Sequence, residues 1–149
     1  MKKVLFGLLM VATIASCKKN DETVSCDVSV AGIAGSYKIT KASVAISGFP
    51  TETDLTTTLF DACELGGVYQ FKADKTVVYT ETGGACSSSG AGTWDIVSGN
   101  ITVVFNTGGG FELPNTATST KVAGWDCTTL TLTEVPAAGQ TYKYTFTKQ

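Results

Sequence analysis

The chain has 149 residues, 43 % of them hydrophobic, which fits one domain with a single modest core and excludes a wholly disordered chain. A formal charge of −2 argues against the basic surface that nucleic acid requires, and no nucleic-acid partner is expected. All basic residues are Lys; without His or Arg the chain lacks the usual base of Ser-His and Cys-His catalysis, the commonest zinc and copper ligand, and the bidentate clamp for carboxylate or phosphate.

Met1–Ser16 has the three parts of an export signal. Lys2 and Lys3 supply the positive start, and Val4–Ile14 the apolar stretch. That stretch holds about 11 residues, where a membrane-spanning helix needs roughly 20. Ile14-Ala15-Ser16-Cys17 follows and resembles the lipobox of bacterial lipoproteins, an aliphatic residue and two small residues before Cys. The resemblance implies cleavage before Cys17 and a diacylglyceryl thioether on its sulfur. Each buried methylene contributes about 0.8 kcal/mol, so two or more acyl chains hold a domain stably on a membrane. The remaining 149 − 16 = 133 residues carry 9 Lys and 13 acids, a charge of −4. Residues 17–33 are expected to be the lipidated Cys and a flexible polar tether, and residues 34–149 one folded domain. The run Lys18-Lys19-Asn20-Asp21-Glu22 resembles the surface-export signal of lipoproteins in Bacteroidota. It implies an outer-membrane position, facing the cell surface in preference to the periplasm.

Five Cys become four once Cys17 is lipidated, and an exported compartment permits disulfides. Runs 67–72 and 76–80 flank a turn at Ala73-Asp74-Lys75. A two-residue turn makes opposed positions sum to 149, as Cys63 and Cys86 do. A three-residue turn makes the sum 148 and sets them one step out of line. Both registers bring the two sulfurs near each other, so Cys63–Cys86 is expected, leaving Cys26–Cys127. A thiolate metal site is the alternative, but no C-x-x-C spacing supports it.

The rest of the chain alternates with period two. Tyr37 and Ile39, then Val44 and Ile46, open the pattern. Tyr69 and Phe71, Val77 and Tyr79, Trp94 and Ile96, Ile101 to Phe105, Leu130 and Leu132, and Tyr142 to Phe146 continue it. Thr53–Cys63 is the one helix candidate, a single turn. Ser98-Gly99-Asn100 and Pro136–Gln140 read as turns; Gly83-Gly84 with Ser87–Gly92, and Asn106–Ser119, read as long loops. About eight short antiparallel strands with one apolar face predict an all-β domain, an up-and-down barrel or, alternatively, a β-sandwich.

Several segments resemble the lipocalin-like lipoproteins of Bacteroidota. Gly35-Ser36-Tyr37 resembles the Gly-x-Trp opening of lipocalin first strands, with Tyr for Trp. Cys63, the Tyr69-Gln70-Phe71 strand, the Ala73–Thr76 turn, Cys86 and Gly92-Thr93-Trp94 follow in that family's order, with Lys75 where a turn Gly is usual. The resemblance covers roughly residues 34–147. It implies a lipocalin-like barrel and a cavity for a small ligand, and names no ligand.

Tyr69, Phe71, Trp94, Phe105, Tyr142, Tyr144 and Phe146 are the candidate ligand-lining residues; the alternative is that they fill the barrel. Trp125 either presents a stacking surface or packs against a Cys26–Cys127 bridge, the latter being expected. Asp61 with Glu64, and Glu52 with Asp54, are the nearest carboxylate pairs for glycosidase chemistry, and are read instead as solvated loop residues. Asp21, Glu22 and Asp27 lack the alternating acidic spacing of a calcium loop. The expectation is a lipid-anchored, non-enzymatic binding module for a small apolar or amphipathic molecule, with no cofactor and no metal. The alternative is a filled barrel serving as a cell-envelope structural or protein-interaction module, with Phe111 and Leu113 as exposed loop tips.

Overall fold

Tyr37 and Ile39 are buried, an extra residue at Thr40 interrupts the register, and Ala42 and Val44 are buried in the opposite phase. A β-bulge thus joins two apolar runs into one strand, β1 (Gly35–Ile46). In the computed structural model, which describes residues 26–82, 86–108, 120–137 and 139–149, β1 follows a short helix, α1 (Val30–Ile33). After it come β2 (Thr53–Asp54), α2 (Thr56–Leu59), α3 (Ala62–Gly66), β3 (Val68–Phe71), β4 (Thr76–Thr80), β5 (Ser89–Val97), β6 (Asn100–Gly108), β7 (Thr120–Trp125), β8 (Thr129–Ala137) and β9 (Gln140–Lys148).

Every pairing is antiparallel, and β1 also pairs with β9 from Tyr37–Lys148 to Ile46–Gln140, which closes the sheet on itself. Closure removes the exposed edges an open sheet would carry. The ring is β1 and β3 to β9, eight strands; the two-residue β2 lies along the far half of β1, beyond the short β3. A barrel, not a sandwich, is the outcome. The ladders are staggered around it. From Gly35 through β3, β4 and β5 they reach Phe105 on β6, whereas from Val44 through β9, β8 and β7 they arrive near Ile101. That offset tilts the strands and leaves an interior that side chains fill or one small ligand shares.

Turn chemistry follows local residue type. At β3–β4, Asp74 Oδ1 accepts from the Thr76 amide and hydroxyl, and Lys75 takes φ 68°. Phe71 faces Val77, so the register sum is 148, that of the three-residue turn. At β5–β6, Ser98 (φ 53°) and Gly99 (φ 77°) form a two-residue turn of the primed kind that matches strand twist. Gly92 sits at a bulge facing β6, where a Cβ would lie 1.9 Å from the Val104 carbonyl oxygen.

The two ends of the barrel differ. At one end α1 folds over the interior, with the Ser29 hydroxyl accepting from the Gly32 amide, Ile33 fully buried, and the Tyr37 hydroxyl donating to the Ile33 carbonyl at 2.5 Å. The β3–β4, β5–β6 and β7–β8 hairpin turns share that end. The opposite, distal end carries the β1–β2 connection, α2, α3, and the described parts of the β4–β5 and β8–β9 connections.

Four local expectations are corrected. β7 was not anticipated, because its sequence, Thr-Lys-Val-Ala-Gly-Trp, carries little apolar alternation and a bulge before Gly124. Ser89–Gly92 and Asn106–Gly108 belong to β5 and β6 and not to loops, since the two segments pair with each other. The region 53–63 makes two separate helical turns, the second continuing to Gly66. The tether expected over 17–33 is structured from Cys26 onward, pinned by its disulfide and by Ile33.

Candidate binding site in the barrel interior

Toward α1 the interior is filled by rings. Tyr37 and Phe71 meet edge-on with centroids 5.7 Å apart, Phe71 and Trp94 are 5.0 Å apart, and Tyr69 contacts Tyr79 at 4.6 Å and Phe146 at 5.7 Å. Such pairs contribute about 0.5–1.5 kcal/mol beyond their burial. The Trp94 indole N–H donates to the Lys72 carbonyl at 2.9 Å. Ile101, Val77, Leu130 and Leu132 close the gaps. Burial pushes the Tyr37 phenol up to about 12. Of the seven candidate lining residues, Tyr69, Phe71, Trp94 and Phe146 therefore sit in this packed layer.

The layer toward the distal end is different. Ala42 and Val44 supply small side chains on β1, and Phe105 and Tyr142 are only partly buried. Tyr144 is buried and lies next to Glu134, which is 4 % exposed. Glu134 faces Tyr142 across the β8–β9 ladder, and β7, in register at Lys121–Thr133, brings the buried Thr120 alongside it. Burial, then the Glu134 charge and Tyr142, raise the Tyr144 phenol to about 12. One carboxylate, two phenols and a hydroxyl thus share an otherwise apolar stretch of the distal interior wall. Ile46 and Phe49, the latter 70 % exposed, stand at its rim. Glu134 was absent from the candidate residues, yet the signal was there. It continues the Leu130, Leu132 phase of β8 and so had to face inward.

Both disulfides are present. Cys26–Cys127 joins the segment before α1 to the β7–β8 turn, with Cα atoms 5.2 Å apart. Cys63–Cys86 joins α3 to the β4–β5 connection at 5.5 Å. Trp125 packs beside Tyr37 at 6.0 Å under the Lys148 ammonium at 5.5 Å from its ring, near the Cys127 bridge. Its indole N–H is buried without a partner among the described residues.

The carboxylate pairs have structural work. Asp61 caps α3 by accepting from the Cys63 and Glu64 amides, and Glu64 accepts from the Asp61 amide, a reciprocal capping box. Glu52 bonds Lys143 and Ser43, and these contacts hold its carboxyl below the usual range; Asp54 is lowered by the Thr56 hydroxyl and amide. Among the described residues no group of three or more His, Cys, Asp or Glu could hold a metal, and no helix is long and apolar enough to cross a membrane. Cys17, Asp21, Glu22, Phe111 and Leu113 lie outside the described residues.

An eight-stranded, up-and-down barrel with one end covered defines the class of small antiparallel barrels whose interior is filled by side chains or holds one small molecule. A family model described as a lipocalin-like domain matches residues 33–149, and the chain belongs to that family. Searches of curated proteins and of solved structures find no significant match.

Proposed function

We propose that the protein is an exported lipoprotein, held on the outer membrane by acyl chains on Cys17, whose barrel binds a small amphipathic molecule without transforming it. The order of positive start, apolar stretch, lipobox and polar run in residues 1–22 supports the anchor and its surface-facing position. Residues 17–25 form the tether in this reading, and the lipocalin-like domain follows.

The observation that carries the binding reading is the change of character along the interior. Interlocked rings fill the half toward α1, whereas in the distal half Phe105 and Tyr142 are only partly buried and Tyr142 faces the buried Glu134 across the β8–β9 ladder. Apolar ring faces would take the ligand's hydrocarbon, and Glu134 with the Tyr142 and Tyr144 hydroxyls its polar end. Carboxylate and phenol oxygens accept hydrogen bonds, so a ligand whose polar end carries O–H or N–H groups suits this wall. Native mass spectrometry of the unreduced protein from its own host tests this. A small molecule is expected to co-purify and to be lost on denaturation. Replacing Glu134→Gln is expected to weaken its retention tenfold or more, the order of about 1–3 kcal/mol for a charged hydrogen bond. A bare protein mass from cells, with Glu134→Gln behaving identically toward alkyl alcohol and alkylamine probes, would remove the binding reading. The filled α1-side half favours the second reading, a non-catalytic envelope interaction module, which that result would leave standing.

A further inference from the structure

Cys26 is not free to leave the barrel wherever the tether pulls it. Its disulfide to Cys127 fixes it on the β7–β8 turn, at the end covered by α1. Nine residues, 26 − 17, separate that point from the lipidation site. We infer that the Cys26–Cys127 bridge is an orientation strap, holding the α1 end toward the anchoring membrane so that the distal end of the barrel faces away from it. Its ligand then arrives from the medium or from a facing surface, and is not drawn from the leaflet in which the acyl chains sit. The inference rests on the lipid-anchor reading above.

Lengths decide it. A nine-residue random chain spans about 15–18 Å on average, and no nine residues reach beyond about 30 Å. The 12 residues of β1 run about 40 Å, or about 30 Å along the axis at the usual barrel tilt. Turning the distal end onto the bilayer lifts Cys26 by that whole height. The tether would then be stretched to its limit, losing nearly all of its conformational freedom. Without the bridge the chain would pivot farther along, where α1 meets the barrel, and the restriction would loosen. The competing arrangement is insertion of the exposed Phe49 tip into the bilayer.

The test uses the full lipidated chain in vesicles carrying a nitroxide quencher on the lipid headgroup. A fluorophore is placed at Lys72→Cys, exposed at the α1 end, or at Phe49→Cys at the distal end. Quenching at position 72 is expected to exceed that at 49 several-fold, and the ratio is expected to fall toward one when Cys26→Ser and Cys127→Ser are added. Equal or reversed quenching in the bridged protein overturns the orientation. An unchanged ratio without the bridge overturns the strap. Mass spectrometry of the N-terminal peptide separates the two levels. If Cys17 carries no acyl chains, the anchor reading fails and the orientation with it; if it does and the pattern is reversed, only the orientation fails.

Discussion

Lys75 holds φ 68°, a region where a side chain costs energy, because the β3–β4 turn needs one left-handed residue before the strand resumes. Its ammonium reaches Asp95 at 2.9 Å, an exposed pair worth little by itself. Lys75→Val, which crowds that conformation most, is expected to lower stability by about 1–2 kcal/mol, while Lys75→Gly is tolerated; denaturant midpoints compare the two. Trp94 is the opposite case, a residue whose whole environment is tertiary. It touches Phe71 and donates to the Lys72 carbonyl. Trp94→Ala is expected to cost about 3–5 kcal/mol, read in the same titration.

At the scale of elements, β3 is only four residues long, and the wall between it and the far half of β1 is made by the stretch from β2 to α3. That stretch is held by few ladder bonds. Thr56 bridges the Ala42 amide and carbonyl, Phe60 plugs the core, and Cys63–Cys86 ties α3 to the β4–β5 connection. Closing a loop of about 24 residues constrains the unfolded chain by roughly 3 kcal/mol. Replacing both cysteines by Ser is therefore expected to lower stability by about that amount. Hydrogen exchange is expected to accelerate first in residues 53–66, while β5, β6, β8 and β9 keep their protection. Uniform acceleration across the barrel would show that the patch is not a separate unit.

For the whole molecule, closure converts alternating strands into one shared core, and that core contains phenols. Tyr37 and Tyr144 have folded values near 12, raised first by burial. An unfolded tyrosine ionises near pH 10, so the folded form binds more protons than the unfolded form between about pH 10 and 12. Stability is then full below pH 10 and is lost as pH rises through that window. The tyrosinate absorbance band is expected to appear together with loss of the barrel's circular dichroism, not ahead of it. On the acid side Asp74 and Asp126 are lowered by bonds from Thr76 and from Thr128 and Thr129. Their contribution is present above the ordinary carboxylate range and declines as pH falls through it.

Much of this was legible in the chain. Alternation marked most strands, and hairpin arithmetic paired Cys63 with Cys86. Local chemistry is sufficient there, since a strand's inward phase and a turn's residue types are properties of a few neighbours. The register of the closing β1–β9 ladder, the bulge at Thr40 that merges two runs, and the weakly patterned β7 were not legible, because each is stabilised by partners distant in sequence. So too with the interior. By itself the sequence determined which aromatics face inward, and hence that a barrel had a core to fill. Only the tertiary structure decided which of them fill it and which line a distal layer. The tilt and stagger of the ring set the height of each side chain, and no residue carries that information alone.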